Sequence, residues 1–280
     1  MKVREVMTEN PIVAELPGTR GEVLKKLVRN NVTGLPVVRA EDGALAGFVT
    51  RQDVFSKPDE DQLALIMERD VATIGPNASV RDAARVMIEK ELTHLPVIEK
   101  EKLVGLLTPT DLLIVVEKEN PQVTVEEIVR SPCVPIYHGS PLIVALATFR
   151  AAKVNALPVL DDDAKLVGII TDRDVFNQTI VDRSVVMSDL GISDDEDNWT
   201  WEGLRNVMKL WYEVSRMDLP KLPVREVMVK NLQTVFRKTL VGDAARIMRK
   251  NDFGQLPVRD SRDVLVAMIY DIDVVSTLAK

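Results

Sequence analysis

The chain has 280 residues, of which 46% are hydrophobic and 28% charged, a balance typical of globular proteins with substantial cores. A formal net charge of −7 argues against broad, non-specific binding to nucleic acid or to an anionic membrane, because both need a cationic face. The single cysteine, Cys133, excludes an intrachain disulfide, and the sequence shows no signal peptide and no apolar run of membrane-spanning length. We therefore expect a cytoplasmic location, no membrane contact and no direct DNA binding.

Four related segments follow one another along the chain, which indicates a repeat architecture. Their openings are VREVM at 3–7, a looser LALIM at 63–67, VEEIV at 125–129 and VREVM at 224–228. Their Leu-Pro-Val cores are GLPVV at 34–38, HLPVI at 94–98, ALPVL at 156–160 and QLPVR at 255–259. Each core is followed by a heptapeptide: GFVTRQD at 47–53, GLLTPTD at 105–111, GIITDRD at 168–174 and AMIYDID at 267–273.

The hydrophobic periodicity predicts the order β-α-β-β-α in every repeat, beginning with an apolar strand such as PIVAEL at 11–16. In the second repeat, SVRDAARVMIEK at 79–90 reads as an amphipathic helix that opens on a capping box. In the third, Ser140 is predicted to cap the helix, with Pro141 in its first turn. Units of about 55–60 residues bury too little surface alone. We therefore expect two pairs, 1–118 and 123–280, joined at Asn120-Pro121.

This pattern resembles the cystathionine-β-synthase (CBS) repeat, which occurs in pairs called Bateman modules. The resemblance implies an α+β fold of four CBS repeats in two Bateman modules, with a helical insertion between repeats 3 and 4. The chain also resembles archaeal four-CBS proteins and, more distantly, the γ regulatory subunit of AMP-activated protein kinase. The predicted boundaries are 1–58, 59–118, 122–181 and 222–280 for the repeats and 182–221 for the insertion.

The Thr-x-x-Asp ending of the heptapeptide has two interpretations. Threonine followed three residues later by aspartate, between a strand and a helix, is a helix-capping arrangement that needs no ligand. The same geometry is an anion site, and an acidic residue there can accept from ribose hydroxyls. The resemblance implies the second role, with aspartate on the ribose and threonine near phosphate. The candidate ligand contacts are Thr50, Asp53, Thr108, Asp111, Thr171 and Asp174.

The resemblance places the other wall of each cleft on the partner repeat, around its first helix and before its Leu-Pro pair. The residues carried over are Thr19, Thr33, Ser79, His94, Thr239 and Gln255, with Arg173 inside a heptapeptide as a possible phosphate contact. A lone histidine beside a strand is more often a packing residue, and an arginine at a helix start is more often solvated. Because cations are scarce, AMP and S-adenosylmethionine rank level as ligands and ATP ranks behind them.

The fourth heptapeptide departs twice from the others, with Ala267 for glycine and Tyr270 for threonine, while Asp273 remains. Either the tyrosine ring fills the cleft or it stacks on a base, and occlusion is favoured because a polar contact is also lost. The predicted empty or atypical site comprises Tyr270, Asp273, Ser140 and Asn155.

The insertion carries all three tryptophans, Trp199, Trp201 and Trp211, after the acidic run SDDEDN at 193–198. Trp201 and Trp211 recur with Leu204 and Met208 at helical spacing. The segment is either a helix packed on its own module or a helix that docks a partner through aromatic anchors. The sequence leaves both interpretations open.

No phosphate-loop, nucleophile-elbow, zinc-protease or paired-cysteine metal motif occurs in the sequence. We expect no catalysis, no metal site and no required cofactor. The first hypothesis is a ligand sensor that binds AMP, S-adenosylmethionine or ATP and signals through module rearrangement. The second is an interaction protein that docks on a large assembly such as the ribosome and inhibits it. A weaker third is a γ-like kinase subunit, and the choice between monomer and homodimer stays open.

Overall fold

A computed structural model of the chain describes residues 1–30, 32–57, 60–175 and 221–279. The helices are α1 (Arg20–Arg29), α2 (Arg51–Ser56), α3 (Leu63–Ile66), α4 (Val80–Glu89), α5 (Pro109–Glu119), α6 (Val125–Ile128), α7 (Leu142–Ala152), α8 (Val224–Val227), α9 (Val241–Asn251) and α10 (Asp271–Val275). The strands are β1 (Thr8–Glu9), β2 (Ala14–Leu16), β3 (Gly34–Arg39), β4 (Leu45–Thr50), β5 (Leu95–Glu99), β6 (Lys102–Leu107), β7 (Ile136–Tyr137), β8 (Ala156–Leu160), β9 (Leu166–Thr171), β10 (Val235–Phe236), β11 (Gln255–Arg259) and β12 (Leu265–Tyr270). Short 3₁₀ turns occupy Val3–Glu5 and Ser276–Leu278.

The chain divides into two compact units. The first comprises Met1–Ile128, Lys238–Gly254 and Tyr270–Lys280, and the second comprises Val129–Arg237 and Gln255–Ile269. The first unit therefore holds repeats 1 and 2 together with α9 and α10 of repeat 4. The second holds most of repeat 3 and the strands of repeat 4.

Each repeat contributes a small sheet in which the Leu-Pro-Val strand lies against the heptapeptide strand. In repeat 1, β2 runs parallel to β3 and β3 pairs antiparallel with β4, with Gly34 opposite Thr50. Repeats 3 and 4 repeat this order as β7-β8-β9 and β10-β11-β12. In repeat 2 the first strand shrinks to a single bridge between Ile74 and Val97. The predicted β-α-β-β-α order is confirmed, with first strands shorter than the apolar runs suggested.

The opening segments of repeats 1 and 2 are exchanged between the two repeats of the first unit. The Val3 N–H donates to the Ala78 carbonyl at 3.0 Å, and β1 joins the edge of the repeat 2 sheet. In return, the Leu63 N–H donates to the Gly18 carbonyl at 3.0 Å. Leu63 and Ile66 are buried in the repeat 1 core, so the opening of repeat 2 completes that core, while the opening of repeat 1 extends the repeat 2 sheet.

The first unit also contains a helical layer in which α5 of repeat 2 packs on α9 and α10 of repeat 4. Arg249 makes an ion pair with Glu117 at 2.7 Å, and the Thr110 hydroxyl donates to Asp271 at 3.0 Å. A Cβ at Gly242 would lie 2.3 Å from the Asn120 side-chain oxygen, so this glycine allows the close approach. Asn120 itself ends α5 in the left-handed conformation.

The second unit is organised around α7 and the repeat 3 sheet. Leu142, Phe149, Val159 and Ile170 form its core, joined by Val224 from the opening of repeat 4. The α7 helix begins at Leu142 with Pro141 in the cap position and no side-chain cap. The prediction that Ser140 caps this helix is wrong, because the chain enters the helix one residue later. The Ser140 carbonyl instead accepts the Val224 N–H at 2.8 Å.

Most of the predicted insertion, with its three tryptophans, lies in 176–220 and so outside the described residues. Within the described ranges, none of the helices is long and apolar enough to cross a membrane. The same ranges contain no cluster of three or more histidine, cysteine or acidic side chains placed to hold a metal ion.

Candidate functional site

The closing helices of repeats 1 to 3 begin with the same hydrogen-bonded arrangement. Thr50 occupies the cap position of α2, and both its N–H and its hydroxyl donate to Asp53 Oδ2, at 2.8 and 2.6 Å. Thr108 repeats this on Asp111 Oδ2, with both distances 2.8 Å. Thr171 repeats it on Asp174 Oδ2, at 2.8 and 2.7 Å. The predicted cap, in which the threonine hydroxyl accepts the aspartate N–H, is present at Thr50 and Thr171, at 3.2 and 3.3 Å. At Thr108 the Asp111 N–H donates instead to the backbone carbonyl, at 3.2 Å.

In each of these three caps, one carboxylate oxygen receives both hydrogen bonds. Asp53, Asp111 and Asp174 are half-buried, and none of the described residues donates a hydrogen bond to their Oδ1 atoms. Capping therefore uses Oδ2 and leaves Oδ1 able to accept from another group. The capping and ligand-binding interpretations are compatible, because they use different atoms.

The surroundings of Asp111 affect the ionisation of its carboxyl group. Burial raises its pKa above the ordinary value, while the hydrogen bonds from Thr108 act in the opposite direction. Desolvation that raises a carboxyl pKa disfavours the charged form. A further donor to Oδ1 would therefore stabilise the Asp111 carboxylate.

Residues just before the two Leu-Pro pairs meet in the first unit. His94 Nε2 lies 3.0 Å from the Thr33 hydroxyl, and Nδ1 lies 3.0 Å from the Thr93 hydroxyl. The His94 ring also packs on Phe48, with ring centroids 4.9 Å apart. The Thr33 carbonyl accepts the Arg51 N–H at 3.1 Å, which links this cluster to the start of α2. The predicted residues Thr33 and His94 are therefore brought together beside Thr50.

Burial lowers the pKa of His94 to about 4. The imidazole is consequently neutral near pH 7, and both ring nitrogens have a threonine hydroxyl as partner. A neutral ring offers no positive charge to a phosphate, and the contacts of His94 with Thr33 and Thr93 are compatible with both the packing and the ligand-binding interpretations.

Two other predicted wall residues cap the first helices of their own repeats. The Thr19 hydroxyl accepts the Glu22 N–H at 3.3 Å, and the Thr19 N–H donates to the Glu22 carboxylate at 2.8 Å. The Ser79 hydroxyl accepts the Asp82 N–H at 3.0 Å. These hydrogen bonds keep both hydroxyls at their helix starts.

The predicted residues of repeats 3 and 4 fall in both units. Asn155 occupies the position of Thr33, and its carbonyl accepts the Asp172 N–H at 3.1 Å. Asn155 is exposed, whereas Ser140, Arg173 and Gln255 are half-buried, all in the second unit. Thr239 is half-buried in the first unit, where its carbonyl accepts the Val125 N–H at 2.9 Å.

The start of α10 in repeat 4 differs from the other three. Tyr270 takes the cap position, and its N–H donates to Asp273 Oδ2 at 3.0 Å. Asp273 is only 5% exposed, in contrast to its half-buried counterparts. The following residue, Asp271, accepts from Thr110, and burial raises its pKa to about 6. Sequence reasoning missed Asp271, because nothing in AMIYDID shows which acid faces α5.

The glycine that opens each of the first three heptapeptides has a structural role that the sequence did not reveal. A Cβ at Gly47 would lie 2.3 Å from the Glu68 carbonyl oxygen, and one at Gly105 would lie 2.5 Å from Met7 Sδ. One at Gly168 would lie 2.3 Å from Met228 Sδ. In each case the neighbour belongs to the opening segment of another repeat. The glycine leaves room for that segment to cross the strand.

Comparison with protein families identifies the repeats. The model of the CBS domain matches residues 3–60, 62–118, 125–179 and 224–280. Among curated proteins, the uncharacterized protein MJ1225 of Methanocaldococcus jannaschii is 29% identical over 191 residues, which cover 62% of this chain and 68% of that one.

Two further similar proteins differ in how much of the chain they match. The homoserine O-acetyltransferase of Methanohalobium evestigatum is 38% identical over 113 residues, 39% of this chain, but the match spans only 22% of that enzyme. The crystal structure of MJ1225, described as a proposed archaeal homologue of γ-AMPK, superposes with a TM-score of 0.77 at 20% identity and covers 100% of both chains. At that identity the superposition shows the shared fold.

Proposed function

Because the chain belongs to the CBS-domain family, we propose that it is a non-catalytic regulatory protein that binds an adenosyl ligand between paired repeats. The ligands we propose are AMP and S-adenosylmethionine, with ATP behind them. Binding would signal by favouring one of two arrangements of the chain, which requires different affinities for the two.

The observation that carries this proposal is the oxygen left unused by the caps of repeats 1 and 2. Asp53 and Asp111 each receive two protein hydrogen bonds on Oδ2 and none from the described residues on Oδ1. A ribose offers two neighbouring hydroxyl donors, and a hydrogen bond to a charged acceptor contributes about 1.5–3 kcal/mol. The proposed contacts are therefore from ribose hydroxyls to Asp53 or Asp111 Oδ1.

The cluster around His94 supports the preference for ligands with few phosphates. His94 is neutral near pH 7 because of its lowered pKa, so it does not help to neutralise a polyphosphate. Thr33, Thr50 and Thr108 provide hydroxyl groups, which suit one phosphate or a polar uncharged group better than three phosphates.

The burial of Asp273 supports the prediction that the fourth copy binds no ligand or binds differently. Asp273 as a whole is only 5% exposed, and Tyr270 replaces the threonine in the cap position. We propose that ligand binding at that copy fails through loss of access.

Calorimetric titration of the purified chain with AMP, S-adenosylmethionine and ATP tests the proposal. We expect at least one to bind, and we expect Asp53→Asn or Asp111→Asn to weaken that ligand about 10-fold or more, the equivalent of about 1.4 kcal/mol. The matched control is Asp243→Asn, which alters an acidic first-turn residue of α9 that is ion-paired to Arg246.

No binding of any ligand at millimolar concentration would overturn the proposal. Pull-down from native lysate would then test the alternatives of ribosome docking and of a γ-like kinase subunit. Binding that is equally tight in both aspartate variants would overturn the assigned contacts.

A further inference from the structure

The first helix of repeat 3 exposes an apolar face that its core does not use. Leu142, Ala145 and Phe149 of α7 are buried, whereas Ile143 and Val144 are each 45% exposed. Those exposed side chains form a shallow groove of about 630 Å³ on the surface of the second unit. Its lining is Val134, Ile143, Val144, Ala147, Thr148, Ala151 and Ala152.

The other three repeats serve as internal controls for this face. The first helices of the four repeats can be aligned by matching their buried residues. In this alignment Ala145 and Phe149 of α7 correspond to the buried Ala244 and Met248 of α9. Equivalent buried pairs are Ala83 and Met87 in α4, and Val23 and Leu27 in α1. The alignment makes the outward positions of the four helices directly comparable.

At three outward positions, only α7 is apolar. It carries Val144, Ala147 and Ala151. The corresponding residues are Asp243, Arg246 and Lys250 in α9, Asp82, Arg85 and Glu89 in α4, and Glu22, Lys25 and Arg29 in α1. Nine charged residues thus stand where repeat 3 has three apolar ones. A solvent-exposed helix face is normally polar. We therefore expect another protein segment to pack on the apolar face of α7.

Repeat 3 is also the repeat followed by the inserted segment, and the chain returns from that segment beside the groove. The Leu222 carbonyl accepts the Leu142 N–H at 3.1 Å, and Pro223 bridges to Pro141. Residues 199–217 end five residues before Leu222, a distance of at most about 17 Å. The length of α7 is itself about 16 Å. The tether therefore gives residues 199–217 a high local concentration at the groove.

The chemistry of that segment matches the groove. Trp201, Leu204, Met208 and Trp211 recur at the spacing of one helical face, and the only charged residue of α7 is Arg150. Two anomalies thus occur in the same repeat: an uncovered apolar face and an apolar-patterned segment tethered next to it. We propose that the apolar face of α7 is the docking surface for residues 199–217 of the same chain.

Tryptophan fluorescence tests the proposal directly, because all three tryptophans of the chain lie between 199 and 211. The test variant is Val144→Asp with Ala147→Arg and Ala151→Lys, which gives α7 the outward residues of α9. We expect the tryptophan emission of this variant to shift to longer wavelength and its quenching by acrylamide to rise at least about 2-fold. Both changes would follow because indole rings released from the groove are exposed to solvent. The control is Val264→Asp, a matched apolar-to-acid change at a residue that is 49% exposed.

Unchanged fluorescence in the triple variant, with a wild-type circular dichroism spectrum, would overturn the proposal. So would a wild-type dimer that the triple variant converts to a monomer without a fluorescence change, since a second copy would then cover the face. A triple variant that fails to fold leaves a second test available. In a Cys133→Ser background, Ala147→Cys with Met208→Cys should form an intramolecular disulfide at a rate independent of protein concentration. Failure to form it under oxidising conditions would count against docking.

Discussion

The heptapeptides of repeats 1 to 3 and the heptapeptide of repeat 4 start their helices in different ways. In the first three, threonine donates twice to a half-buried aspartate, and a glycine lets an opening segment cross the strand. In the fourth, Ala267 replaces the glycine, Tyr270 replaces the threonine, and Asp273 is buried. The backbone hydrogen bond to the aspartate survives in both groups, at 2.8 and 3.0 Å.

This difference separates two requirements that the motif combines. A helix start needs only the backbone N–H and the aspartate, which repeat 4 retains. The other three repeats add three features: the threonine hydroxyl, a carboxylate Oδ1 that accepts no hydrogen bond from the described residues, and the glycine. We infer that these features serve ligand binding and repeat pairing, and the following changes test each in turn.

The largest expected effect is from Gly47→Ala, which copies the alanine of repeat 4 into repeat 1. The new methyl group would lie 2.3 Å from the Glu68 carbonyl oxygen, so the opening segment of repeat 2 must shift. We expect the free energy of unfolding in urea to fall by about 3 kcal/mol, the upper part of the range for overpacking. Gly75→Ala is the control, because nothing lies within 4 Å of its Cβ position. Equal stability of the two variants would remove steric crossing as the reason for the glycine.

Asp271→Asn tests the second acid of repeat 4. The pKa of Asp271 is raised to about 6 by burial, so its ionisation destabilises the folded state as the pH rises from about 4 through 6. Asparagine stays neutral and keeps an acceptor for the Ile272 N–H. We expect it to stabilise the chain by about 1–2 kcal/mol at pH 8, since a tenfold change in an ionisation constant corresponds to about 1.4 kcal/mol.

The same variant should give no gain at pH 4, where Asp271 is mostly protonated in the native chain. Thermal unfolding measured at pH 4 and pH 8 checks both halves of this prediction. A gain of equal size at the two pH values would show that the effect is not due to ionisation.

Thr108→Tyr gives repeat 2 the tyrosine of repeat 4 and tests occlusion. The substitution removes the Thr108 hydroxyl, which lies 2.8 Å from Asp111 Oδ2, and places an aromatic ring beside that carboxylate. We expect the affinity for the adenosyl ligand to fall at least about 10-fold, or about 1.4 kcal/mol, by calorimetry. Thr73→Tyr places the same ring on an exposed residue and should not change the affinity. Undiminished binding in Thr108→Tyr would mean that tyrosine does not distinguish the fourth copy.

The smallest expected effect is from Thr50→Val, which removes a cap while preserving side-chain shape. The hydroxyl accepts the Asp53 N–H at 3.2 Å and donates to the carboxylate. Loss of a threonine cap costs about 1 kcal/mol of stability, measurable by urea unfolding. Thr73→Val, at an exposed residue, should stay within about 0.5 kcal/mol of wild type. A cost no larger than that of the control would show that the backbone hydrogen bond alone starts α2.

Much of the fold could be predicted because four copies reinforced a weak pattern. Buried Val80, Ala83, Ala84 and Met87 are the residues that helical periodicity placed on the inner face of α4. The side-chain cap at Ser79 was likewise visible, since it depends on residues three apart, although the reciprocal hydrogen bond of a capping box is not among those seen. The family assignment is confirmed by all four matched segments.

What the sequence could not show depends on long-range contacts. The role of Gly47 requires knowing that Glu68 crosses it, and the neutral state of His94 requires knowing its burial beside Thr33. The start of α7 at Leu142 was missed because Ser140 and Pro141 fit a cap equally well one residue earlier. Local sequence patterns determine where helices and strands form. Long-range contacts determine which atoms of those elements are buried or hydrogen-bonded.

The exchange of opening segments makes the boundary between adjacent repeats a poor place to divide the protein. Leu63 is 1% exposed, yet it is buried among Val23, Leu27 and other residues of the preceding repeat. A fragment that stopped after repeat 1 would lose part of its own interior, and the remainder would lose the segment that extends its sheet. The smallest portion of this chain suited to transplantation into another protein is therefore a pair of repeats, and inheritance by duplication would favour pairs for the same reason.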